Sequence, residues 1–514
     1  MNQYIVLFQL LLVVFSSDGL QTSNTPVVPI RKVAVIGCGI SGLSIAHALE
    51  NSPSCAKPCI ENGLRQSDET NFGIQVHLFD SRSSLNFEAG AGIQLTGGLA
   101  TFKKMNEDLY RKIADAGLPL RNIKSRTKPW FQTEESYSTL LEMNIEENIR
   151  IAGGEAEESL IVDGEVMACA IMRGALQETL MNELPLQTAK RVQFSKRLTD
   201  IRSQSNGIVC LFSDGSEEGP FDMVIGSDGI NSCIKEYIEK GKISPENEKK
   251  ESTIYSGIRI QYAVQDGKSD DINEETADLC QYFGDGAYSL AGVYGAGANR
   301  KATKGAFLIF RDEDWNGPFK KKDASSATKT LENADWTQNT ESVGSTMYNR
   351  ITQANIPKDQ IGPIVKNSDR FFELGVYFHN PFTFNGWSKE VKGSGGRFVV
   401  LSGDAAHAMP PFLGQGSNQA VQDAYCLAKK IFEYNANCMD TGRGDTKLLQ
   451  SLLKDYEHIR WPPTSSITFK AAFLGYLETG SPGFLSKFRD AFFFVAGKIG
   501  LARKVFLGAA TPKF

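Results

Sequence analysis

The chain has 514 residues, of which 41% are hydrophobic and 22% charged, and its 55 Lys and Arg residues face 60 Asp and Glu residues. These values are typical of folded globular proteins, and they exclude a disordered chain, a collagen and a protein of many membrane spans. The slight acidic excess argues against a nucleic-acid-binding protein, which needs a basic surface.

Residues 1–23 are predicted to be a targeting segment. Their apolar run Ile5–Phe15 has about the length of the hydrophobic part of a signal peptide and is too short to cross a bilayer. A short anchor that dips into a membrane has the same pattern. The targeting segment predicts entry into the secretory pathway. Because the sequence has no Asn-x-Ser/Thr acceptor for glycosylation, we expect delivery to a plastid or an endomembrane compartment rather than export.

The nine cysteines are odd in number and irregularly spaced, which does not indicate a disulfide framework. Cys55 and Cys59 lie in a polar insert, where they could pair or stay free. No second pair of Cys or His residues follows at ligand spacing, so we expect no metal site.

A βαβ unit with a glycine-rich turn follows the targeting segment. Lys32–Ile36 is a short apolar run typical of a buried parallel strand, a helical pattern begins after it, and Ile74–Phe79 is the second predicted strand. In this setting Gly37 permits a tight turn, Gly39 lets the backbone approach a pyrophosphate, and Gly42 lets helix and strand pack closely. The alternative is a glycine turn that holds no ligand.

Asp80 closes the second predicted strand, where it could accept hydrogen bonds from the ribose hydroxyls of a dinucleotide. Its carboxylate argues against a 2′-phosphate, so the expected ligand resembles NAD or FAD rather than NADP. The acidic residue usually lies about 20 residues after the glycines. Here the polar insert at residues 51–72 lengthens that spacing.

The remaining elements divide the chain into further regions. Leu99–Ala116 and Met172–Leu184 are predicted helices, Arg191–Asp214 is a predicted hairpin, and Asp222–Gly226 and Arg397–Leu401 are predicted buried strands. Aromatic and β-branched residues with many turn signals predict a mostly antiparallel sheet between them. The predicted domains are a first part of a dinucleotide-binding domain (31–235), a substrate domain (236–385), a second part of the first domain (386–440) and a helical region (441–514).

A second motif, GDAAHAMPPFLGQGSNQA, follows the last predicted strand. Asp404 stands at the strand end, where a carboxylate can hold the hydroxyl groups of a sugar-like chain. Pro410 and Pro411 stiffen the loop against a planar ring, and the positive end of the helix that begins near Gly416 can stabilise an anion.

These motifs resemble those of the FAD-dependent aromatic-ring hydroxylases, the group A flavoprotein monooxygenases, over about residues 31–435. Gly37–Gly42, Asp228-Gly229 with Ser232, and Gly403–Gly416 carry the resemblance. It implies an α/β fold of the para-hydroxybenzoate-hydroxylase type, with a Rossmann-like FAD-binding domain, a mostly antiparallel β substrate domain and a helical C-terminus. Two positions depart from the family pattern, since Lys235 replaces an arginine and Gly97-Gly98 replaces a Pro-Asn pair.

The resemblance also implies roles for individual residues in holding FAD. The expected positions are Gly37, Gly39 and Gly42 at the pyrophosphate, Asp80 at the adenosine ribose, Arg173 between the phosphates and the ribityl chain, Gly403 and Asp404 at the ribityl chain, Pro410, Gly414 and Gly416 along the isoalloxazine, and Asp228 and Gly229 at FAD and a visiting nicotinamide nucleotide. A single glycine fingerprint in a βαβ setting implies that NAD(P)H binds only transiently.

In the family, NAD(P)H reduces FAD, and a flavin C4a-hydroperoxide then transfers one oxygen atom of O₂ to an electron-rich alkene or arene. Tyr255–Gly257, Tyr456-Glu457 and Phe484–Arg489 are similar to segments of zeaxanthin epoxidases. The favoured reaction is therefore epoxidation of an apolar polyene such as a carotenoid. His407 is expected to have a structural role near the ribityl chain, and no general base is nominated.

Two other functions stay open. A hydroxylase of a small phenolic or carboxylated aromatic would need a buried anchor, for which Arg259 and Tyr262 are candidates. A non-catalytic flavin-binding protein would keep the motifs without turnover. The basic, aromatic pattern of Phe484–Phe514 is typical of a helix that lies on a membrane, which would suit a lipophilic substrate, and equally of a helix packed against the FAD-binding domain.

Overall fold

The computed structural model describes residues 29–51, 73–88, 90–128, 137–245, 253–267, 275–312, 340–382, 385–480 and 483–514. The predicted targeting segment and the cysteines Cys55 and Cys59 lie outside these residues. Among the described residues, no helix is both long and apolar enough to span a bilayer, and no group of His, Cys, Asp and Glu is arranged to hold a metal ion.

A six-stranded sheet forms the centre of the dinucleotide-binding part. Its strands are β1 (Lys32–Ile36), β2 (Gln75–Phe79), β9 (Val192–Gln193), β13 (Met223–Gly226), β19 (Ser388–Glu390) and β20 (Phe398–Leu401). Their order is β19-β20-β13-β1-β2-β9, and only β19 runs antiparallel to its neighbour. Every residue of β13 and β20 is buried, as the predicted apolar runs require of strands covered on both faces.

Helices and small sheets surround this sheet. The helices described before residue 241 are α1 (Ile40–Asn51), α2 (Gly97–Met105), α3 (Glu107–Ala116), α4 (Ile145–Ala152), α5 (Gly154–Leu160), α6 (Arg173–Asn182), α7 (Leu186–Ala189) and α8 (Cys233–Lys240). The predicted hairpin is β10 (Leu198–Gln204) with β11 (Gly207–Phe212), extended by β12 (Glu217–Phe221). A short pair joins β6 (Ile161–Val162) to β7 (Glu165–Val166).

The second large sheet is mostly antiparallel, as predicted for the substrate domain. Its strands are β3 (Gly92–Leu95), β4 (Leu118–Thr127), β5 (Ser138–Asn144), β8 (Cys169–Met172), β14 (Ile254–Gln265), β15 (Ala277–Phe283), β16 (Ala287–Tyr294), β17 (Thr303–Arg311) and β18 (Arg370–Phe378). The order is β18-β14-β17-β16-β15-β4-β8-β3, with β5 on β4. Four of these strands precede residue 236, so the predicted domain boundaries, which stay predictions, do not separate the two large sheets.

The rest of the chain is helical. Two helices, α9 (Thr340–Gln353) and α10 (Lys358–Lys366), pack on the large sheet, and the last part contains α11 (Asp404–His407), α12 (Gly416–Thr441), α13 (Thr446–Glu478), α14 (Phe484–Lys498) and α15 (Leu501–Ala510). Helix α12 packs on α1, and α14 reaches the large sheet, where the rings of Phe493 and Phe283 are 4.7 Å apart. The chain therefore has the predicted α/β fold with a helical C-terminal region.

Candidate functional site

The carboxyl ends of three adjacent parallel strands, β1, β13 and β20, bring the two motifs together. Ser41, inside the first motif, has its Oγ 3.0 Å from the Oγ of Ser402 and 3.4 Å from the Oγ of Ser227. A Cβ atom built on Gly403 would lie 2.8 Å from Ser41. The segments near residues 37 and 404, far apart in sequence, thus form one site.

The three glycines of the first motif occupy three different environments. Gly37 has φ +104° and donates its N–H to the Phe79 carbonyl oxygen at 2.7 Å. A Cβ on Gly42 would lie 1.9 Å from the Gly37 carbonyl oxygen, whereas a Cβ on Gly39 would meet no atom within 4 Å. These environments match the turn, the close helix packing and the open approach that the sequence predicts at these positions.

Asp80 ends β2 as a buried carboxylate that already has partners. Its Oδ2 accepts hydrogen bonds from the Cys38 N–H at 2.8 Å and from Arg82 Nη2 at 2.7 Å, and its Oδ1 accepts from Arg82 Nε at 2.8 Å. Burial alone would raise the pKa of Asp80, but Arg82 holds it below its usual range. Asp80 is therefore an ionised acceptor at the predicted ribose position, and a ribose hydroxyl would share it with Arg82, a residue that the sequence reasoning missed.

Arg173 begins α6 and interacts electrostatically with both Arg82 and Asp404. It is half-buried, and its side chain passes 3.2 Å from the position that a Cβ on Gly90 would occupy. Burial and the charge of Arg82 lower the pKa of Arg173, while Asp404 opposes that shift. A guanidinium placed between Arg82 and Asp404 suits the phosphates that the resemblance assigns to it.

Asp404 and Asp228 follow the carboxyl ends of β20 and β13. Asp404 borders the cavity described below and is open on that side, while protein atoms enclose its other sides. Burial raises the pKa of Asp404, whereas the charges of His407 and Arg173 act to lower it. Asp228 Oδ2 accepts a hydrogen bond from the Cys233 N–H at 2.7 Å, whereas its buried Oδ1 has no hydrogen-bond partner among the described residues.

Open space accompanies these polar atoms. Gly229 has φ +79°, and neither a Cβ on Gly229 nor one on Gly416 would meet any atom within 4 Å. An unpartnered buried carboxylate oxygen, glycines that leave their surroundings open and the amino-terminal ends of α1 and α12 are together what a dinucleotide requires. The residues present therefore fit FAD.

The proline-rich loop forms a short turn beside β3. The 3₁₀ turn Pro411–Leu413 follows Pro410. Pro410 is buried and does not line the cavity described below, whereas Pro411 does. Gly414 has φ +63°, and Gln94 Nε2 donates to the Leu413 carbonyl oxygen at 3.0 Å. The loop is thus fixed by strand β3 directly in front of α12.

Asn418 connects the same loop to the Gly97-Gly98 departure. Its Oδ1 accepts hydrogen bonds from the Thr96 and Gly98 N–H groups at 2.8 and 2.9 Å. A Cβ on Gly98 would lie 2.9 Å from that Oδ1, and a Cβ on Gly97 would lie 2.1 Å from the Ala510 carbonyl oxygen. The glycines therefore allow α2 to approach both α12 and the C-terminal helix α15.

A cavity of about 590 Å³ lies between this loop, the large sheet and the C-terminal helices. Asp404, Gly414 and Gly416 border it on the cofactor side. Its other walls are mainly aliphatic and aromatic, for example Ile260, Leu279, Phe307, Phe473 and Phe493. A mostly apolar cavity that opens beside the predicted isoalloxazine position is a candidate substrate site.

The two candidate anchors lie in different places. Tyr262 lines the cavity, with its ring stacked 4.3 Å from that of Phe372. Arg259 does not line the cavity and is paired with Glu373. Arg259 is therefore wrong as an anchor for a substrate carboxylate, because its charge is already used within the sheet.

One polar cluster interrupts the apolar wall. Glu478 Oε1 accepts a hydrogen bond from Gln281 Nε2 at 2.9 Å, and Gln281 Oε1 accepts one from Ser125 Oγ at 2.9 Å. Tyr288 interacts with the same carboxyl. Burial raises the pKa of Glu478 to about 7, although Gln281, Tyr288 and Arg489 each act to lower it.

His407 belongs to a buried charged group, and its place near the ribityl chain stays a prediction. Its Nε2 lies 2.6 Å from Asp423 Oδ2, and Arg460 Nε donates to Asp423 Oδ1 at 2.8 Å. Burial would raise the pKa of Asp423, but His407 and Arg460 hold it below its usual range. Asp423 also accepts the Gly403 N–H at 2.9 Å, so this buried group supports the second motif from behind.

Known proteins are similar to this chain over most of its length. Residues 393–466 match the family described as FAD binding domain. A salicylate hydroxylase of Pseudomonas putida is 27% identical over 448 residues, with 84% of this chain and 82% of the hydroxylase covered. An FAD-dependent monooxygenase of Gibberella moniliformis is 24% identical, with 84% and 83% covered.

Over most of its length the chain is similar to FAD-dependent aromatic-ring hydroxylases. It is an FAD-dependent monooxygenase. The fold agrees, since Klebsiella pneumoniae HpxO in complex with FAD and uric acid superposes with a TM-score of 0.62 at 17% identity, covering 93% of this chain and 97% of HpxO. The individual FAD contacts and the likeness to zeaxanthin epoxidases stay predictions.

Proposed function

We propose that this monooxygenase uses NAD(P)H and O₂ to insert one oxygen atom into a neutral, lipophilic substrate, and that the reaction is epoxidation of an apolar polyene such as a carotenoid. The observation that carries the proposal is the cavity beside the second motif, whose walls are mainly aliphatic and aromatic and include no arginine among the described residues. The one cation among the described lining residues is Lys470, next to Phe469 on the helical side, and a substrate carboxylate would also meet Glu478.

FAD, when bound, supplies the reduction of O₂ and the transfer of oxygen. The protein supplies position and a dry environment. Phe473, Phe492 and Phe493 cover the cavity from the helical side, and Ile260 and Phe307 support it from the sheet. An apolar enclosure of this kind keeps water from the reacting centre and needs no nucleophilic side chain when the acceptor is an alkene.

Hydroxylation of a small phenolic aromatic is the second candidate. Two observations favour it: a curated relative over most of the chain acts, by its name, on salicylate, and Glu478 is an acid–base group inside the cavity. The two candidates differ in what the substrate must offer, since a phenol would use an acid–base group and an alkene would not.

We also propose that the C-terminal helices rest on a membrane. Nine of the 13 large apolar side chains that are exposed among the described residues lie between residues 469 and 501. Phe469 and Phe473 are 64% and 51% exposed and also line the cavity, so its mouth lies in this apolar surface. That residues 1–23 direct the chain into the secretory route is likewise a proposal, resting on the run Ile5–Phe15.

The test is to purify the flavin-loaded protein and follow NADH and NADPH oxidation with carotenoids and with phenols in turn. We expect oxidation stimulated by a polyene and, with ¹⁸O₂, one labelled oxygen atom in an epoxide product. Stimulation by phenols alone, with label in a new hydroxyl group, would replace the first candidate by the second. Flavin retention without stimulation by either class would favour a non-catalytic flavin-binding protein.

A further inference from the structure

Glu478 is a buried acid whose carboxyl forms no ion pair with a described cation. It is the last residue of α13, it is 3% exposed, and it lines the substrate cavity. Its Oε1 accepts the hydrogen bond from Gln281, whereas its buried Oε2 accepts none of normal geometry from the described residues. A buried carboxyl oxygen without a partner is costly, so its presence in a cavity needs an explanation.

The nearest cation does not supply that partner. The Arg489 guanidinium donates to Asp490 Oδ1 at 2.9 Å and to the Gly284 carbonyl oxygen at 2.8 Å. Towards Glu478 it makes one contact, to the backbone oxygen at 3.4 Å. The ring of Phe283 occupies another side of the guanidinium, 4.6 Å from its central carbon. Arg489 therefore holds the end of α13 and α14 in place and leaves the Glu478 carboxyl to the cavity.

The neighbours of Glu478 restrict what it can bind. Gln281 is held by Ser125 on its other side, which fixes the direction of its amide, and the Tyr288 side chain forms a hydrogen bond with the Glu478 carboxyl. Ser125, Gln281 and Tyr288 lie on the adjacent strands β4, β15 and β16, so a rigid sheet positions the group. The surrounding wall is apolar, so the cluster is one polar point in an otherwise hydrophobic site.

We propose that Glu478, oriented by Gln281 and Ser125, is a specificity-determining residue that accepts a hydrogen bond from a hydroxyl group on an otherwise apolar substrate. A hydroxyl is the group that fits, because it donates one hydrogen bond and carries no charge. A carboxylate would repel the ionised acid, and a pure hydrocarbon would leave Oε2 without a partner. The inference rests on the proposed function, and it narrows the substrate to a lipophilic alcohol or phenol.

The experiment measures binding rather than turnover. The probes are 4-hexylphenol and hexylbenzene, which differ by one hydroxyl, titrated into the flavin-loaded enzyme while the flavin absorbance and fluorescence are followed. In the wild type we expect the phenol to bind at least about tenfold more tightly than the hydrocarbon, as a hydrogen bond to a charged acceptor allows. In E478Q we expect that ratio to fall below about threefold, with hexylbenzene affinity unchanged.

Two comparisons separate this specificity role from a structural one. E433Q, which alters an exposed glutamate on α12, should keep the wild-type ratio. In the wild type the ratio should rise as the pH passes through about 7, because the ionised carboxylate is the stronger acceptor. If E478Q lost its flavin, Y288F would provide the same comparison, with an intermediate ratio expected.

An unchanged ratio in flavin-loaded E478Q, or equal affinity of the wild type for both probes, would overturn the inference. Its failure is distinct from that of the proposed function. Probe selectivity without any NAD(P)H oxidation would contradict the proposed function alone, and oxidation stimulated by substrates without regard to their hydroxyl groups would contradict the inference alone.

Discussion

Gly39 and Gly42 stand three residues apart in one turn, yet a methyl group would meet different surroundings at each. At Gly42 it would fall on the backbone oxygen of Gly37, and a backbone clash of this size must move the helix or the strand. At Gly39 it would meet no protein atom. Replacing Gly42 by alanine therefore acts on the fold, whereas replacing Gly39 by alanine acts on the space that the cofactor needs.

We predict that G42A lowers both the thermal unfolding temperature of the apoprotein and its affinity for FAD. G39A should leave the unfolding temperature of the apoprotein unchanged and lower its affinity for FAD by at least about tenfold. Flavin titration and thermal unfolding of the apoproteins measure the two effects separately. Equal FAD affinity of G39A and the wild type would show that the pyrophosphate does not pass over this residue.

The sequence could predict these glycines because local spacing defines their roles, and it could not predict Glu478 for the opposite reason. Glu478 ends a helix of 33 residues with no motif around it. Its role depends on the contact with Gln281, 197 positions away, and on a cavity wall that forms only when the sheet assembles. Arg82 is an intermediate case, because its position two residues after Asp80 is visible in the sequence.

At the scale of elements, the predicted helix Leu99–Ala116 is two helices. Asn106 has extended backbone, and its Oδ1 accepts hydrogen bonds from the Asp108 and Leu109 N–H groups, which ends α2 and begins α3. The signal is in the sequence, since Asn followed by Glu and Asp is a helix start. By contrast, strand β1 matches its predicted bounds, because an apolar run between a polar segment and a glycine has few alternatives.

The sequence pattern near β4 and β8 does not indicate that these strands join the large sheet. Strand β4 pairs in parallel with β15, more than 150 positions later, and β8 pairs with β3 and β4. Polar and apolar residues mix along β4, and long-range pairing rather than its own pattern makes it a strand. The segment GVYGAGANR ends strand β16 and continues into the connection between the antiparallel strands β16 and β17.

Helix α14 carries an aromatic row that connects the surface to the cavity. The rings of Phe484 and Phe488 are 6.5 Å apart, those of Phe488 and Phe492 are 6.5 Å apart, and Phe492 lies 6.2 Å from Phe473 at the cavity. Phe484 is 80% exposed. Lys487 and Lys498 add positive charge to the same helix, which suits an anionic lipid surface.

We predict that replacing Phe484, Phe488 and Ile499 together by Ser lowers binding to anionic phospholipid vesicles at least about tenfold, because each exposed apolar side chain contributes through burial in the lipid. Co-sedimentation with vesicles measures the effect. The matched control replaces Ile151 and Leu186, which are exposed apolar residues far from this helix in sequence, and should leave binding unchanged. Equal losses in both variants, or no binding by the wild type, would exclude the membrane contact.

At the scale of the whole molecule, the fold treats its buried carboxyls in opposite ways. Asp423 is held ionised by Arg460 and His407, so its pKa lies below the ordinary range and its contribution to stability is lost only as the pH falls through that low value. Among the described residues, no cation forms a hydrogen bond with the Glu478 carboxyl, and burial raises its pKa to about 7. The first carboxyl supports the cofactor motif, and the second leaves an acid in the substrate cavity. The two therefore affect stability in separate pH ranges.

We predict that Glu478 makes the folded protein less stable as the pH rises from about 4.5 to about 7. Below pH 4.5 the carboxyl is protonated in both states, whereas above it the unfolded chain releases the proton first, and ionisation then favours unfolding. A rise of this size corresponds to about 3 kcal/mol. In urea unfolding at a series of pH values, E478Q should gain stability relative to the wild type across this range, while E433Q should follow the wild type. If the E478Q and wild-type curves stayed parallel from pH 5 to pH 8, the cavity carboxyl would be an ordinary, solvated acid, and it could not change its affinity for a hydroxyl near neutral pH.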